Sequence, residues 1–137
     1  MEVKLINNDN FMDLVDLTID MYDSIDTNIN EFQAVNTLVS LINSNQDFTA
    51  IGLFDETVLV GFVSGIALST VLFKYTGIHV VTKNTEWTQK LIEESFDIIK
   101  EKGYLSWEAE ATNKNICSVL EKYGATIKCT VYRKEFD

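Results

Sequence analysis

Two glutamates in the second half of the chain have a spacing suited to acid–base chemistry. Glu108 and Glu110 alternate with Trp107 and Ala109 in a strand-like run, which predicts both carboxylates on one face of the strand. Two adjacent carboxylates favour protonation of one of them, and a carboxylate in such a pair is a candidate general base. The alternative is that this face of the strand reaches water, where charged side chains keep it solvated.

The remaining reactive side chains give weaker indications. His79, the only histidine of the sequence, lies between Ile78 and Val80 in an apolar run. It is a candidate base, and equally a structural residue whose ring is satisfied by neighbouring groups. Cys117 and Cys129 lack metal-ligand spacing, which favours buried thiols in a reducing cytosol. We therefore predict neither a metal site nor a nucleophilic cysteine.

Hydrophobic periodicity divides the first half of the chain into a strand, two helices and a hairpin. Alternating residues predict the strand, and apolar residues three and four apart predict amphipathic helices. Two apolar runs separated by the polar turn Asp55-Glu56-Thr57 predict the hairpin, and Gly61 and Gly65 on one face of its second strand indicate close packing or the approach of a helix or ligand. The predicted elements are a strand over Glu2–Ile6, helices over Phe11–Tyr22 and Phe32–Ile42, and strands over Phe48–Phe54 and Val58–Leu68.

The second half of the chain alternates strands with helices. Candidate caps within Thr82–Thr85 begin a long helix that ends near Lys102, and Gly103 is placed as its C-terminal stop. The other predicted elements are strands over Phe73–Val81, Leu105–Ala111 and Ala125–Phe136 and a helix over Lys114–Tyr123. The complete order, βααβββαβαβ, predicts one α/β domain over residues 1–137, with a mixed central sheet of about six strands and four helices.

The charge of the chain restricts its partners. The 21 acidic and 11 basic residues give a formal net charge of −10, and no lysine or arginine cluster provides a footprint for nucleic acid. The acidic charge favours a cationic small molecule or a basic protein as partner, or serves only solubility. Without a membrane-length apolar run or a secretory signal, the sequence predicts a soluble cytoplasmic protein. Exposed edge strands, especially the last one, favour a homo-oligomer.

The segment from Asn113 to Ala125 carries the most specific pattern. It reads as a helix capped by Asn113 and stopped by Gly124 eleven positions later, with the ending Glu121-Lys122-Tyr123-Gly124-Ala125. Together with the order and length of the elements, this pattern resembles the GNAT superfamily of N-acetyltransferases. The resemblance implies acetyl-CoA bound where two adjacent strands part, with an amine attacking its thioester.

The same resemblance implies roles for individual residues. Glu108 or Glu110 would act as the base for the amine, and His79 lies where the family often places a base or a substrate contact. The pyrophosphate would meet the start of the long helix, and the capping asparagine of the next helix would lie near the coenzyme. The candidate coenzyme contacts are Val81, Lys83, Thr85 and Asn113.

The loop expected to hold the pyrophosphate departs from the family pattern. No glycine occurs between Gly77 and Gly103, so the loop lacks the bare backbone that normally approaches a polyanion. It presents Glu86 and Trp87 instead, and Lys83 compensates only in part, together with Lys90 at the next turn. We interpret this coenzyme loop as degenerate.

A second departure concerns the acid that protonates the departing thiolate. In many members this acid is a tyrosine seven positions after the capping asparagine, and Leu120 occupies that position here. Tyr123 points about 60 degrees away at about 3.6 residues per turn, so we interpret it as a packing residue.

Two functional classes remain open. The first, favoured because two chemical requirements fail together, is a non-catalytic GNAT-like binding or structural domain, and small phage internal virion proteins resemble the chain in this respect. Such a protein would reside in the virion. The second is an active, divergent N-acetyltransferase with Glu108 or Glu110 as base, Asn113 near the coenzyme and water as proton donor.

Overall fold

The computed structural model describes residues 1–24, 30–44, 47–75, 84–110 and 114–127, together with Tyr132, Lys134 and Phe136. Its elements follow the predicted order through the fourth helix. They are β1 (Glu2–Leu5), α1 (Phe11–Met21), α2 (Glu31–Ser44), β2 (Thr49–Asp55), β3 (Val58–Ala67), β4 (Leu72–Tyr75), α3 (Thr85–Glu101), β5 (Ser106–Glu108) and α4 (Lys114–Lys122), with short 3-10 turns over Asn8–Asn10 and Tyr22–Ser24.

The five strands form one mixed sheet in the order β1-β2-β3-β4-β5. The first three pairings are antiparallel and the last, β4 with β5, is parallel. A parallel neighbour requires a crossover, and α3 supplies it between β4 and β5. The result is the α/β sheet with four helices that the sequence predicts.

The side chains of the sheet alternate between two hydrophobic cores. Ala50 and Phe54 of β2 pack with α1 and α2, whereas Ile51 and Leu53 pack with α3. Because successive side chains of a strand point to opposite faces, helices lie on both faces of the sheet. In the described part of the chain, no helix is both long and apolar enough to cross a membrane.

Two glycines of the central strands lie in closely packed surroundings, and the backbone contact at Gly65 excludes a side chain there. A Cβ atom added at Gly65 would overlap the Phe73 ring and the carbonyl oxygen of Lys74. A Cβ atom at Gly52 would lie 2.7 Å from the Leu59 side chain. The interpretation of Gly65 as a packing residue is therefore confirmed.

The described parts of β4 and β5 cover only part of the apolar runs that predict them. β4 is described as far as Tyr75, and the rest of the strand predicted to Val81 lies outside the described residues. β5 covers three residues of the run predicted from Leu105 to Ala111. In the predicted strand Ala125–Phe136, residues 125–127 are described and are not in a strand, and most of the remainder lies outside the described residues.

Candidate cofactor and base site

The parallel strands β4 and β5 pair over a short described distance. Their partners are Leu72 with Ser106, Phe73 with Trp107 and Lys74 with Glu108. The chain leaves β5 after Glu108, and the described part of β4 reaches Tyr75. We call these two carboxyl ends the open end of β4 and β5, because α/β sheets bind ligands outside the carboxyl ends of their strands.

Glu108 and Glu110 lie on the water-facing side of this open end. The Lys74 Nζ atom lies 3.5 Å from Glu110 Oε1, and the two side chains are 35% and 55% exposed. Glu108 lies opposite Lys74 in the strand register and is exposed as well. Both carboxylates are therefore exposed to water, as the alternative interpretation of this strand face expects. The same exposure leaves them accessible to an amine from solution.

Aromatic rings fix the opposite face of β5. The Trp107 ring stacks on Phe96 of α3 with centroids 4.7 Å apart and an interplanar angle of 12°. The Phe96 ring in turn meets Tyr123 edge-on at 5.9 Å. This packing holds β5 against α3 and α4, and alternation along the strand then directs Glu108 away from the helices.

The amino end of α3 is closed by its own capping residue. The Asn84 side-chain oxygen accepts a hydrogen bond of 2.9 Å from the Glu86 backbone N–H, and the Asn84 carbonyl accepts the Thr88 N–H at 3.0 Å. Glu86 is exposed in the first turn, where a carboxylate interacts favourably with the helix dipole. One first-turn N–H donor is thus already engaged by the Asn84 cap, and the Glu86 carboxylate lies beside the positive helix end that would attract a pyrophosphate.

The other residues of this turn also have structural partners. Lys90 Nζ lies 2.6 Å from Glu94 Oε2 one turn along α3, so its charge is directed along the helix. Trp87 is half-buried against the hydrophobic core between α3 and the sheet. Lys90 would therefore have to leave its ion pair with Glu94 in order to neutralise a pyrophosphate at the start of α3.

Tyr123 connects α4 to α3. Its hydroxyl donates a hydrogen bond of 2.8 Å to Glu93 Oε2 and accepts one of 3.4 Å from Gln89 Nε2. These partners lie 30 and 34 residues away in the sequence, which explains why periodicity could not identify them. The contacts agree with the interpretation of Tyr123 as a packing residue.

The structure brings together only part of the predicted site. Glu108 and Glu110 lie at the open end of β4 and β5, and Thr85 is the first residue of α3. The other predicted residues, and Cys129, lie outside the described residues. Those predicted site residues are His79, Val81, Lys83 and Asn113.

The sequence predicts neither a nucleophilic cysteine nor a metal site, and the described residues bear on both predictions. Cys117 is half-buried on α4. Within the described residues, no group of three or more histidine, cysteine, aspartate or glutamate side chains could hold a metal ion.

Comparisons with known proteins identify the fold. No family model and no curated protein matches the sequence. A ribosomal-protein-alanine N-acetyltransferase from Brucella melitensis biovar Abortus 2308 superposes with a TM-score of 0.72 at 15% identity, covering 99% of this chain and 100% of that chain. An aminoglycoside 6'-acetyltransferase type Ii gives 0.71 at 15% identity, covering 93% and 84%.

A third structure, an aminoglycoside N-acetyltransferase in complex with CoA, has a TM-score of 0.63 at 14% identity, covering 98% of this chain and 95% of that chain. The chain therefore has the GNAT acetyltransferase fold, as the element order and the Asn113–Ala125 pattern predict.

Proposed function

We propose that this chain uses the GNAT fold as a binding or structural domain and does not transfer acetyl groups. One observation carries the proposal: the amino end of α3, where the fold would receive a pyrophosphate, is closed by Asn84 and carries the Glu86 carboxylate. A phosphate there would have to displace the Asn84 oxygen and approach a like charge. Asn84 and Glu86 at this helix end therefore oppose the binding of a coenzyme pyrophosphate.

The position of the thiolate acid supports the same proposal. Leu120 cannot donate a proton, and the Tyr123 hydroxyl already donates to Glu93. The protein would then act in the cytoplasm, or in a virion if phage-encoded, by binding a cationic small molecule or a basic protein.

A divergent N-acetyltransferase is the second candidate, and the open end of β4 and β5 favours it. Two exposed carboxylates lie at that end of β5, and the structural relatives named above include N-acetyltransferases. In this alternative Glu108 or Glu110 accepts the proton of the attacking amine, and water protonates the thiolate as the carbon–sulfur bond breaks. Val81, Lys83, Thr85 and Asn113 would contact the coenzyme.

A thermal-unfolding titration with acetyl-CoA distinguishes the two candidates. A ligand that binds only the folded state at a hundredfold excess over its Kd stabilises the protein by about 2.7 kcal/mol. We expect no change in Tm up to millimolar acetyl-CoA. A saturable increase would contradict the proposal and favour the enzyme.

A matched pair of variants then locates any binding that occurs. Glu86→Arg and Glu31→Arg each reverse an exposed glutamate in the first turn of a helix, α3 and α2 respectively. If acetyl-CoA binds at the α3 terminus, Glu86→Arg strengthens binding more than Glu31→Arg does. Equal effects would show that our placement of the coenzyme loop is wrong.

A further inference from the structure

The net negative charge of the chain arises from one part of the sequence. Between Lys4 and Lys74 there are ten acidic residues and no lysine, arginine or histidine, and this stretch accounts for the whole formal net charge of −10. Acidic and basic residues balance over the rest of the chain. A local charge excess of this kind forms a field at the surface that carries it.

Helix α1 presents much of this charge on one uncovered face. Its exposed side chains lie within an arc of about 120 degrees at about 3.6 residues per turn, opposite Leu14 and Thr18 in the core. We call this surface the outer face of α1. It consists of Met12, Asp13, Asp16, Ile19 and Asp20, and it is flanked by Asp9 and Asp23.

The outer face of α1 is apolar as well as acidic. Met12 is 65% exposed and Ile19 is 45% exposed, whereas the neighbouring apolar positions of the helix are covered by α2 and the sheet. Among the described residues, no basic side chain forms an ion pair with the aspartates of this face. The face thus combines aspartates that have no cationic partner among the described residues with exposed hydrophobic surface.

We propose that the outer face of α1 docks a basic amphipathic segment of another protein. Lysine or arginine side chains would pair with the aspartates, and apolar side chains would cover Met12 and Ile19. The proposal names the partner class of the binding role proposed above and rests on that role.

Charge and shape select this occupant over others. A second copy of the chain would bring two acidic faces together, and an anionic membrane would be repelled in the same way. Asp13 and Asp20 are separated by about 10 Å at about 1.5 Å per residue on a convex helix, so the face suits an extended partner better than a small cation.

A binding titration with a designed peptide tests the proposal. The probe is a labelled lysine–leucine peptide of about 14 residues with helical spacing, long enough to form a helix on contact. Its acidic counterpart, with glutamate in place of lysine, is the control. We expect the basic peptide to bind the full chain more tightly than the acidic one, with an affinity that falls as salt is added.

Matched variants locate the binding site. Asp16→Asn/Asp20→Asn on α1 and Asp97→Asn/Glu101→Gln on α3 remove the same charge from exposed positions. We expect the α1 pair to weaken peptide binding about tenfold and the α3 pair less than about twofold. If both double variants lose the same affinity for the peptide, binding depends only on the net charge of the protein, and the proposal is overturned.

Two further results would overturn it independently. If Met12→Gln/Ile19→Gln leaves peptide affinity unchanged, the face has no apolar role. If the free chain self-associates and Asp16→Asn/Asp20→Asn strengthens that association, the occupant is a second copy. The two failures are distinguishable because the peptide titration contains no acetyl-CoA. Absent peptide binding removes this docking surface and leaves the non-catalytic proposal in place, whereas a cofactor-induced Tm increase contradicts the non-catalytic proposal on which the docking role rests.

Discussion

Tyr123 shows how one side chain can be assigned to packing instead of catalysis. Its ring meets Phe96 edge-on, and its hydroxyl is held by Glu93 and Gln89 of α3. These contacts hold α4 against α3. The hydroxyl proton is already donated to Glu93, so it is not available to protonate a thiolate. Its removal should therefore change stability.

We predict that Tyr123→Phe lowers the free energy of unfolding by about 0.5–1.5 kcal/mol, because it removes the hydrogen bond to Glu93 and retains the ring. Tyr104→Phe is the matched control, since the Tyr104 ring packs on Phe73 and no hydrogen bond of its hydroxyl occurs among the described residues. It should change stability by less than about 0.5 kcal/mol. Urea unfolding of both variants measures the difference, and equal effects would contradict the assignment.

At the scale of single residues, the sequence predicts features that depend on the spacing of nearby residues. The loss of a tyrosine at Leu120, the acid at Glu86 and a cap within Thr82–Thr85 are all visible in the chain, and the structure identifies Asn84 as that cap. The Tyr123–Glu93 contact is invisible there because it depends on how two helices pack. The packing of the half-buried Trp87 ring against the core has the same cause.

Glycines end both helices that flank β5. Gly103 follows α3 with φ 99° and Gly124 follows α4 with φ 94°. At α4 the Ala125 N–H bonds to the Leu120 carbonyl and the Gly124 N–H to the Glu121 carbonyl, which satisfies the last carbonyls of the helix. A left-handed residue is required at both positions.

We predict that Gly124→Ala and Gly103→Ala each lower the free energy of unfolding by about 1–2 kcal/mol, because alanine is strained at positive φ. An added Cβ would meet no atom within 4 Å at either position, so the effect is purely conformational. Gly124→Asn should cost less, since asparagine tolerates this conformation. Thermal unfolding provides the measurement, and an unchanged Tm in both alanine variants would contradict the observed helix ends.

For whole elements, helix ends were easier to predict than strand pairing. Caps and glycine stops are local signals, and α3 and α4 begin and end within a few residues of their predicted limits. The parallel partner of β4 is set by a crossover of 30 residues, from 76 to 105, and no local pattern encodes it. The end of β5 at Glu108 is likewise a property of the sheet.

The two candidate activities of the protein involve different regions of the molecule. The α3 terminus and the open end of β4 and β5 are the places where acetyl transfer would require a coenzyme and a base, whereas the outer face of α1 lies on a different helix. In the first region Glu110 pairs with Lys74, whereas the aspartates of the outer face of α1 have no lysine or arginine partner among the described residues. Charge distribution therefore favours binding at α1 over chemistry at the sheet.

The most direct test of the central claim is an NMR titration of the isotopically labelled chain with acetyl-CoA, observing the backbone amides of Glu86 and Thr88. Both amides are hydrogen-bonded to Asn84, so a pyrophosphate at this helix end would shift their resonances. We predict that both stay unchanged up to millimolar acetyl-CoA. A saturable shift centred on these two amides would contradict the account and establish a working coenzyme site.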